Sequence, residues 1–319
     1  MILSNVSSRP VVRWTAATAS ALAAAGLANA WLARKAERER PPRGRFLRVR
    51  GQRLHVVDRG EGKPLVLLHG NGSSVEDFAV SGLIDRAAAR YRVIAFDRPG
   101  FGHSPRGTGR FQSPEQQADL LAAALRKLGA QRAIIFGHSW GTLVALALAI
   151  RHPSAVAGLV LASGYYFPTP RPDALLFSPP AIPLIGDVLA YTVWPLISRL
   201  TWRLLMQQLF APAAVSQRLS RCLKPLALRP TQVRAAAAES ASMIPAANRL
   251  SDHYRDIRAP VTIIAGDGDR IVSPEQAHRL QGALRISSLE LANGVGHMVH
   301  HSAPELVTAV IDRAMIHAT

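Results

Sequence analysis

One segment, RAIIFGHSWGTLVALAL, most strongly limits how this 319-residue chain can fold. Residues 132–136 are short, apolar and β-branched, which predicts a buried strand, whereas residues 143–150 favour a buried helix. Ser139 therefore lies in a turn from strand to helix. Gly137 and Gly141 stand two residues on either side of it, where a Cβ would obstruct a tight turn. Such a turn holds a serine in a strained conformation with its Oγ exposed, as in a nucleophile elbow.

A reactive serine needs partners, which the C-terminal part of the chain can supply. A serine hydroxyl is a weak nucleophile at neutral pH and requires a base, usually a histidine that a carboxylate orients. The segment PVTIIAGDGDRIVSPEQA predicts a strand at residues 261–265, followed by a loop with Asp267 and Asp269. A last strand near residues 286–291 leads into a glycine-rich loop with His297. Either aspartate would lie at the carboxyl end of a strand, where open α/β sheets keep their chemistry.

Four separated segments resemble the α/β-hydrolase-fold serine hydrolases, from about Phe46 to the C-terminus. LVLLHGNG resembles the oxyanion strand and loop of that family, and VIAFDRPGFGHS resembles the next strand and its glycine loop. GHSWG resembles the elbow, and GDGD with GVGH resembles the acid and base loops. The order Ser, Asp, His is the one expected for the family. The resemblance implies an α/β fold with a mostly parallel central sheet, flanking helices and a helical cap insertion.

The resemblance also implies which acid and which base act on Ser139. The family's G-x-x-D spacing, counted from the glycine at the strand end, selects Asp269 over Asp267. The base of the family usually follows a glycine, which selects His297 over the two later histidines, His300 and His301. We read those two as surface or helix-start residues.

Acyl transfer also develops negative charge on a carbonyl oxygen, which preorganised N–H groups stabilise. Trp140 follows the nucleophile at a helix N-terminus, where the helix dipole favours an anion. A second backbone N–H would come from Asn71, the residue after His69-Gly70. The sequence contains no apparent metal-ligand cluster and no phosphate-binding glycine loop, so we expect catalysis without a metal ion or cofactor.

The elbow also resembles that of haloalkane dehalogenases and epoxide hydrolases, whose GHDWG motif places an aspartate where this chain has Ser139. A carboxylate displaces halides and opens epoxides, whereas a serine with an oxyanion hole suits a carbonyl. We therefore expect hydrolysis of an ester-like bond in an apolar acyl substrate. Thioesterase, lactonase, carbon–carbon hydrolase and cofactor-free haloperoxidase activities remain open, as does a catalytically silent membrane-associated binding protein.

The hydrophobic pattern divides the chain into four segments. Residues 165–259 interrupt the strand–helix alternation, being proline-rich at first and then helical in pattern, as a cap would be. The cap is strongly apolar, which favours a hydrophobic substrate. The segments are an N-terminal apolar anchor with a basic linker (1–45), the first part of the core (46–164), the helical cap (165–259) and the second part of the core (260–319).

Residues 14–33, WTAATASALAAAGLANAWLA, are uncharged over about the 20 residues that a membrane-spanning helix needs. An uncleaved anchor, a signal peptide cut after Ala30 and an exposed helix all fit this segment. The apolar run continues past Ala30, which favours the anchor. Nine basic residues follow between 34 and 53 against only Arg9 and Arg13 before it, which predicts a cytoplasmic catalytic domain.

The net charge of +17 does not by itself indicate nucleic-acid binding. Most basic residues are scattered arginines, without the motifs or aromatic platforms of nucleic-acid-binding proteins. The dense cluster at residues 34–53 suits an anionic membrane surface better. Cys222 is the only cysteine, so no internal disulfide can form.

Overall fold

One eight-stranded sheet forms the centre of the protein in a computed structural model that describes residues 9–107 and 112–317. In chain order the strands are β1 (Arg45–Val49), β2 (Gln52–Arg59), β3 (Pro64–Leu68), β4 (Arg92–Phe96), β5 (Ala133–His138), β6 (Val156–Ala162), β7 (Val261–Gly266) and β8 (Ser287–Ala292). Their spatial order is β1-β2-β4-β3-β5-β6-β7-β8. β1 and β2 pair antiparallel with their neighbours, whereas β3 to β8 run parallel. The sheet is therefore mostly parallel, as the sequence predicts.

Helices cover both faces of the sheet and also form a separate group between β6 and β7. In chain order they are α1 (Arg9–Glu39), α2 (Val75–Val80), α3 (Leu83–Ala88), α4 (Pro114–Lys127), α5 (Trp140–Arg151), α6 (Pro172–Leu176), α7 (Ile185–Tyr191), α8 (Trp194–Phe210), α9 (Gln217–Ala227), α10 (Pro230–Ser251), α11 (Glu275–Ala283), α12 (Val299–Ser302) and α13 (Pro304–His317).

The core lies on both faces of the sheet because the central strands are apolar at almost every position. In β3, Val66 and Leu68 pack with α4 and α5 on one face, and Leu65 and Leu67 pack with α2, α3 and α13 on the other. Successive side chains of a strand point to opposite faces, so a continuous apolar run marks a strand covered on both sides. The parallel arrangement brings the carboxyl ends of β3, β5, β7 and β8 to one edge of the sheet.

The helices α6 to α10, here called the inserted helices, connect β6 to β7. α10 is the longest of them and contacts α6, α7, α8, α9 and the core helix α5. Trp202, Met206 and Phe210 of α8 pack against α9 in a small apolar cluster of their own. The inserted helices therefore have an interior of their own, and α10 joins them to the core through α5.

The second half of α1 lies against the inserted helices. Its buried and half-buried positions recur at helical spacing from Leu22 onward, whereas residues 14–20 are all exposed. The amide of Asn29 donates to the carbonyls of Tyr191 and Thr192 at 3.0 and 2.9 Å, where α7 ends. Part of α1, from Trp14 to Glu39, is long and apolar enough to cross a membrane by length and composition.

α5 approaches the sheet closely because its second residue is a glycine. A Cβ at Gly141 would lie 2.2 Å from the carbonyl oxygen of Leu68 at the end of β3. Backbone atoms on both sides of this contact are fixed by helix and strand hydrogen bonds. The distance between β3 and the start of α5 therefore depends on the absence of a side chain at residue 141.

We expect Gly141→Ala to lower the free energy of unfolding by about 1–3 kcal/mol, because the added methyl group overpacks a backbone contact. Gly282 in α11 is the matched control, since nothing lies within 4 Å of a Cβ there. Gly282→Ala should leave stability unchanged or raise it by about 0.5–1 kcal/mol, as alanine does inside a helix. Urea unfolding of both variants measures the difference. Equal stability of the two variants would contradict the close approach of α5 and β3.

Candidate active site

Ser139 lies at the carboxyl end of β5, between the last residue of the strand and the first residue of α5. Its φ of 52° and ψ of −121° form a combination that residues other than glycine rarely adopt. The N–H of Ser139 donates to the carbonyl of Ala162 in β6 at 2.9 Å, and its own carbonyl accepts from the N–H and hydroxyl of Thr142. These hydrogen bonds hold the strained turn in place. Ser139 is half-buried, whereas His138 and Trp140 beside it are buried.

His297 and Asp269 form a buried hydrogen bond across the loops that follow β8 and β7. Nδ1 of His297 lies 2.8 Å from Oδ2 of Asp269. An ionised carboxylate can only accept, so Nδ1 carries the proton in this bond and Nε2 is the ring nitrogen left for another partner. The other oxygen of Asp269 accepts the N–H groups of Ile271 and Val272 at 2.8 and 3.0 Å. The carboxylate is thus fixed at both oxygens.

Asp267, the second acidic residue of the same loop, has a different environment. Its side chain is exposed, and Oδ1 accepts the N–H of Gly294 at 2.7 Å. This bond ties the loop after β7 to the loop after β8. The structure therefore brings Asp269 to His297 and leaves Asp267 in a turn.

His138 connects the Ser139 turn to the loop of His297. Nε2 of His138 donates to the backbone carbonyl of His297 at 3.0 Å, and the two rings lie 5.1 Å apart. Burial lowers the pKa of His138 well below its usual value, so the ring is neutral at pH 7. The Ser139 turn and the loop of His297 are therefore linked through the residue that precedes the serine.

The loop after β3, which contains Gly70 and Asn71, lies against the Ser139 turn. A Cβ at Gly70 would lie 3.0 Å from the Cβ of Ser139, so this loop and the Ser139 turn are in contact. The side-chain amide of Asn71 donates to the carbonyl of Ala236 and to the hydroxyl of Ser240, both in α10, at 3.1 Å. Asn71 is thus fixed between the sheet and the inserted helices.

Trp140 occupies the first position of α5. The first N–H groups of a helix have no acceptor within the helix. The N–H of Trp140 is therefore available to a group bound beside Ser139, and the helix dipole favours a negative charge there.

Arg98 is a buried residue of the site that the sequence analysis does not single out. Its guanidinium donates to the carbonyls of His69 and Gly70 at 2.8 and 3.0 Å and forms an ion pair with Glu239 of α10. Both side chains are almost completely buried. Burial raises the pKa of Glu239, an effect that the guanidinium opposes. Arg98 thereby fixes the backbone just before Asn71. In the sequence, the FDRPGFG segment indicates the glycine loop that contains Arg98, but it does not indicate this contact.

A second buried network lies behind the Ser139 turn. Oδ1 of Asp77 accepts from Nε2 of both His300 and His301, at 3.0 and 2.7 Å, and the ring of His300 lies 4.5 Å from that of His138. His300 is fully buried and is the second residue of the short helix α12, so of the two expectations, a surface residue or a helix-start residue, only the second holds for it. The side-chain atoms of Asp77, His300 and His301 that could bind a metal ion lie within 4.8 Å of one another. Their mutual hydrogen bonds account for this grouping without an ion.

Comparisons with known proteins agree with the fold. A model of the alpha/beta hydrolase fold family matches residues 63–304. The chain is 31% identical over 268 residues to a 2-hydroxy-6-oxo-2,4-heptadienoate hydrolase of Pseudomonas putida, a match that covers 80% of this chain and 90% of that protein. These two matches support a hydrolase and confirm the predicted fold.

Two solved structures show the same fold at low sequence identity. An enol-lactonase from Burkholderia xenovorans is similar with a TM-score of 0.72 and 19% identity, covering 85% of this chain and 100% of that chain. A membrane phospholipase A, described as a bacterial virulence factor, is similar with a TM-score of 0.65 and 22% identity, covering 97% of each chain.

Proposed function

Because the chain belongs to the alpha/beta-hydrolase-fold family, we propose that it is a serine hydrolase that cleaves an ester-like bond through an acyl-enzyme. Ser139 is the nucleophile, His297 the general base and Asp269 the orienting acid. The hydrogen bond of 2.8 Å between Nδ1 of His297 and Oδ2 of Asp269 carries the proposal, because it orients the buried imidazole through Nδ1 and leaves Nε2 to accept the proton of the serine. The strained conformation of Ser139 is what a nucleophile elbow requires.

In the proposed mechanism, Nε2 of His297 takes the proton of the Ser139 hydroxyl as Oγ attacks the substrate carbonyl carbon. Asp269 stabilises the imidazolium that forms, and the imidazolium then gives its proton to the leaving group. Water attacks the acyl-enzyme in the same way. The backbone N–H groups of Asn71 and Trp140 stabilise the carbonyl oxygen as it becomes negative, and one such donor contributes about 2.7–4 kcal/mol.

The proposed substrate is a small molecule with an apolar acyl group, and the inserted helices act as a cap over the site. The contacts of Asn71 with α10 support this role for the cap, because they connect it to a proposed oxyanion donor. The charge of Arg98 is already paired with Glu239, so this buried cation is not available to a substrate carboxylate. In this proposal residues 46–164 and 260–319 are the two parts of the core, and residues 165–259 are the cap.

A second candidate function is hydrolysis of a carbon–carbon bond, one of the alternatives that the sequence leaves open. It is favoured by the relative that is 31% identical over most of its length and is named for a hydroxy-oxo-dienoate substrate. A panel of p-nitrophenyl esters of increasing acyl length, run beside 2-hydroxy-6-oxo-2,4-heptadienoate, separates the two candidates. Turnover of the dienoate with none of the esters would replace the first candidate with the second.

We expect Ser139→Ala to abolish labelling by a fluorophosphonate probe and to reduce ester hydrolysis to background, because the variant lacks the nucleophile. Ser163→Ala is the matched control. Ser163 follows β6, the neighbouring strand, and it too has a positive φ, of 51°, but its hydroxyl is buried. The control should keep its labelling. Undiminished labelling of Ser139→Ala, with an unchanged melting temperature, would show that another residue reacts.

The two aspartates of the loop after β7 should differ in their effect on catalysis. Asp269→Asn should lower kcat by a factor on the order of 10⁴, since the asparagine no longer holds the correct histidine tautomer or stabilises the imidazolium. Asp267→Asn should lower kcat little, because Asp267 is exposed and bonds only a backbone N–H of the facing loop. Steady-state kinetics on one ester measures both. A larger loss in Asp267→Asn would reverse the assignment of the acid.

We further propose that α1 tethers the enzyme to a membrane, with residues 1–45 as anchor and basic linker and the catalytic domain in the cytoplasm. The nine basic residues between 34 and 53 favour that side. Export after cleavage of a signal peptide is the alternative. C-terminal fusions to alkaline phosphatase and to a fluorescent protein that folds only inside the cell distinguish them. Phosphatase activity without fluorescence would overturn the cytoplasmic side, and a mature N-terminus at Trp31 would identify a signal peptide.

A further inference from the structure

The exposed apolar residues of this protein are concentrated on the inserted helices. Of the twenty large hydrophobic side chains that are exposed in the described chain, thirteen lie between Leu175 and Leu204 and three more lie in α1. That segment of 30 residues is less than a tenth of the sequence. Exposed apolar residues scattered singly are normal, whereas a contiguous group marks a binding surface.

α8 shows the concentration most clearly, because it has apolar residues on both its inner and its outer side. Trp202 and Met206 face inward and are buried, whereas Leu196, Leu200 and Leu204 are exposed at a spacing of four residues, on one side of the helix. A helix on the surface of a protein in water ordinarily has polar residues on its outer side. In α7, Val188 and Tyr191 continue the exposed apolar surface toward α1.

Contacts between α1 and the inserted helices determine what can cover this surface. Asn29 lies within the apolar run of α1 and is buried against the end of α7, and its Oδ1 accepts from Arg199 of α8 at 2.9 Å. A membrane span that uses residues 14–33 of α1 therefore brings α7 and α8 to the depth of the lipid. Only an apolar outer surface on α7 and α8 is compatible with that position.

The charges around the apolar surface favour an anionic partner. From residue 171, just before α6, to residue 234 the chain has eight Lys and Arg residues and two acidic residues, Asp173 and Asp187. Asp173 is paired with Arg171, and the buried Arg229 is paired with Glu37 of α1. Asp187 is paired with Arg234. Arg203 is exposed on α8 near Leu200 and Leu204, and a long basic side chain at such a place can reach the headgroups while its stem remains in apolar surroundings.

We propose that the outer surface of α6, α7 and α8 docks into the headgroup and upper acyl region of an anionic lipid bilayer, beside the part of α1 around Leu27 and Asn29 that enters the membrane. Amphipathic elements of this kind lie about 5–10 Å deep at the interface. The inserted helices would then face the membrane, and an apolar substrate could reach them from the lipid. The inference rests on the proposed membrane attachment of α1 but is independent of the proposed chemistry.

Labelled single-cysteine variants of the full chain test this orientation. In a Cys222→Ser background, an environment-sensitive nitrobenzoxadiazole label is attached at Leu27→Cys in α1, Leu200→Cys in α8 or Ile286→Cys before β8, where the native side chains are 74%, 75% and 57% exposed. The protein is reconstituted in phosphatidylcholine–phosphatidylglycerol vesicles that contain a lipid with a shallow nitroxide. We expect the labels at residues 27 and 200 to be quenched several-fold more than the label at residue 286.

Each other outcome of the labelling experiment overturns the proposal in a distinct way. If residue 27 is quenched and residue 200 matches residue 286, α1 attaches to the membrane without docking of the inserted helices. If neither is quenched, the membrane attachment is itself wrong. If the label at residue 200 is shifted to shorter wavelength but is not quenched, a second copy of the chain covers the surface instead.

A polar variant of α8 provides a second measurement. With the label at Val188→Cys in α7, the combined changes Leu196→Gln, Leu200→Gln and Leu204→Gln should lower quenching to the level of residue 286. Glutamine is a good helix former, so the fold should be kept. The matched control replaces exposed Ile286 and Leu291 with glutamine and should leave quenching unchanged. Equal quenching of both variants would contradict the lipid-facing role of α8.

Discussion

A buried guanidinium connects the parts of this protein on which the candidate site depends. Arg98 donates to the loop after β3 and pairs with Glu239 of α10. One side chain therefore fixes both the loop at the carboxyl end of β3 and the inserted helices. Removing one partner of a buried pair is costly, about 3–5 kcal/mol, because the other charge is left without compensation. The position of α10 above Asn71 is therefore tied to the same contact that shapes the loop.

The site itself is built from loops that hold one another. His138 bonds the carbonyl of His297, Asp267 bonds the N–H of Gly294, and Asp269 is fixed by two backbone N–H groups before it reaches His297. The bonds from His138 to His297, from Asp267 to Gly294 and from Asp269 to His297 join segments at the ends of different strands of the parallel sheet, whereas the two backbone bonds to Asp269 lie within one loop. The geometry around His297 is thus set by the register of the strands as much as by the side chains of the site.

Most of the strand positions could be predicted from the sequence because apolar runs and glycine-containing turns are local signals. The resemblance supplied Asp269 and His297, whose loops follow predictable strands. The Arg98–Glu239 pair could not be predicted, since the two residues are 141 positions apart and a charged residue ordinarily indicates the surface. The contact of Asn29 with α7 could not be predicted either. In the sequence Asn29 is one polar residue in an apolar run, and only the fold shows that its amide donates to the carbonyls at the end of α7.

The close approach of α5 and β3 at Gly141 also bears on how this sequence can change over time. The clash that a Cβ would make there is with a backbone carbonyl, which no choice of rotamer relieves. Ser139, in contrast, has a half-buried side chain that could be exchanged while the turn persisted. A descendant of this chain with another residue in place of Ser139 would thus still need Gly141. In such descendants we expect Gly141 to be retained for the fold, whatever residue stands at position 139.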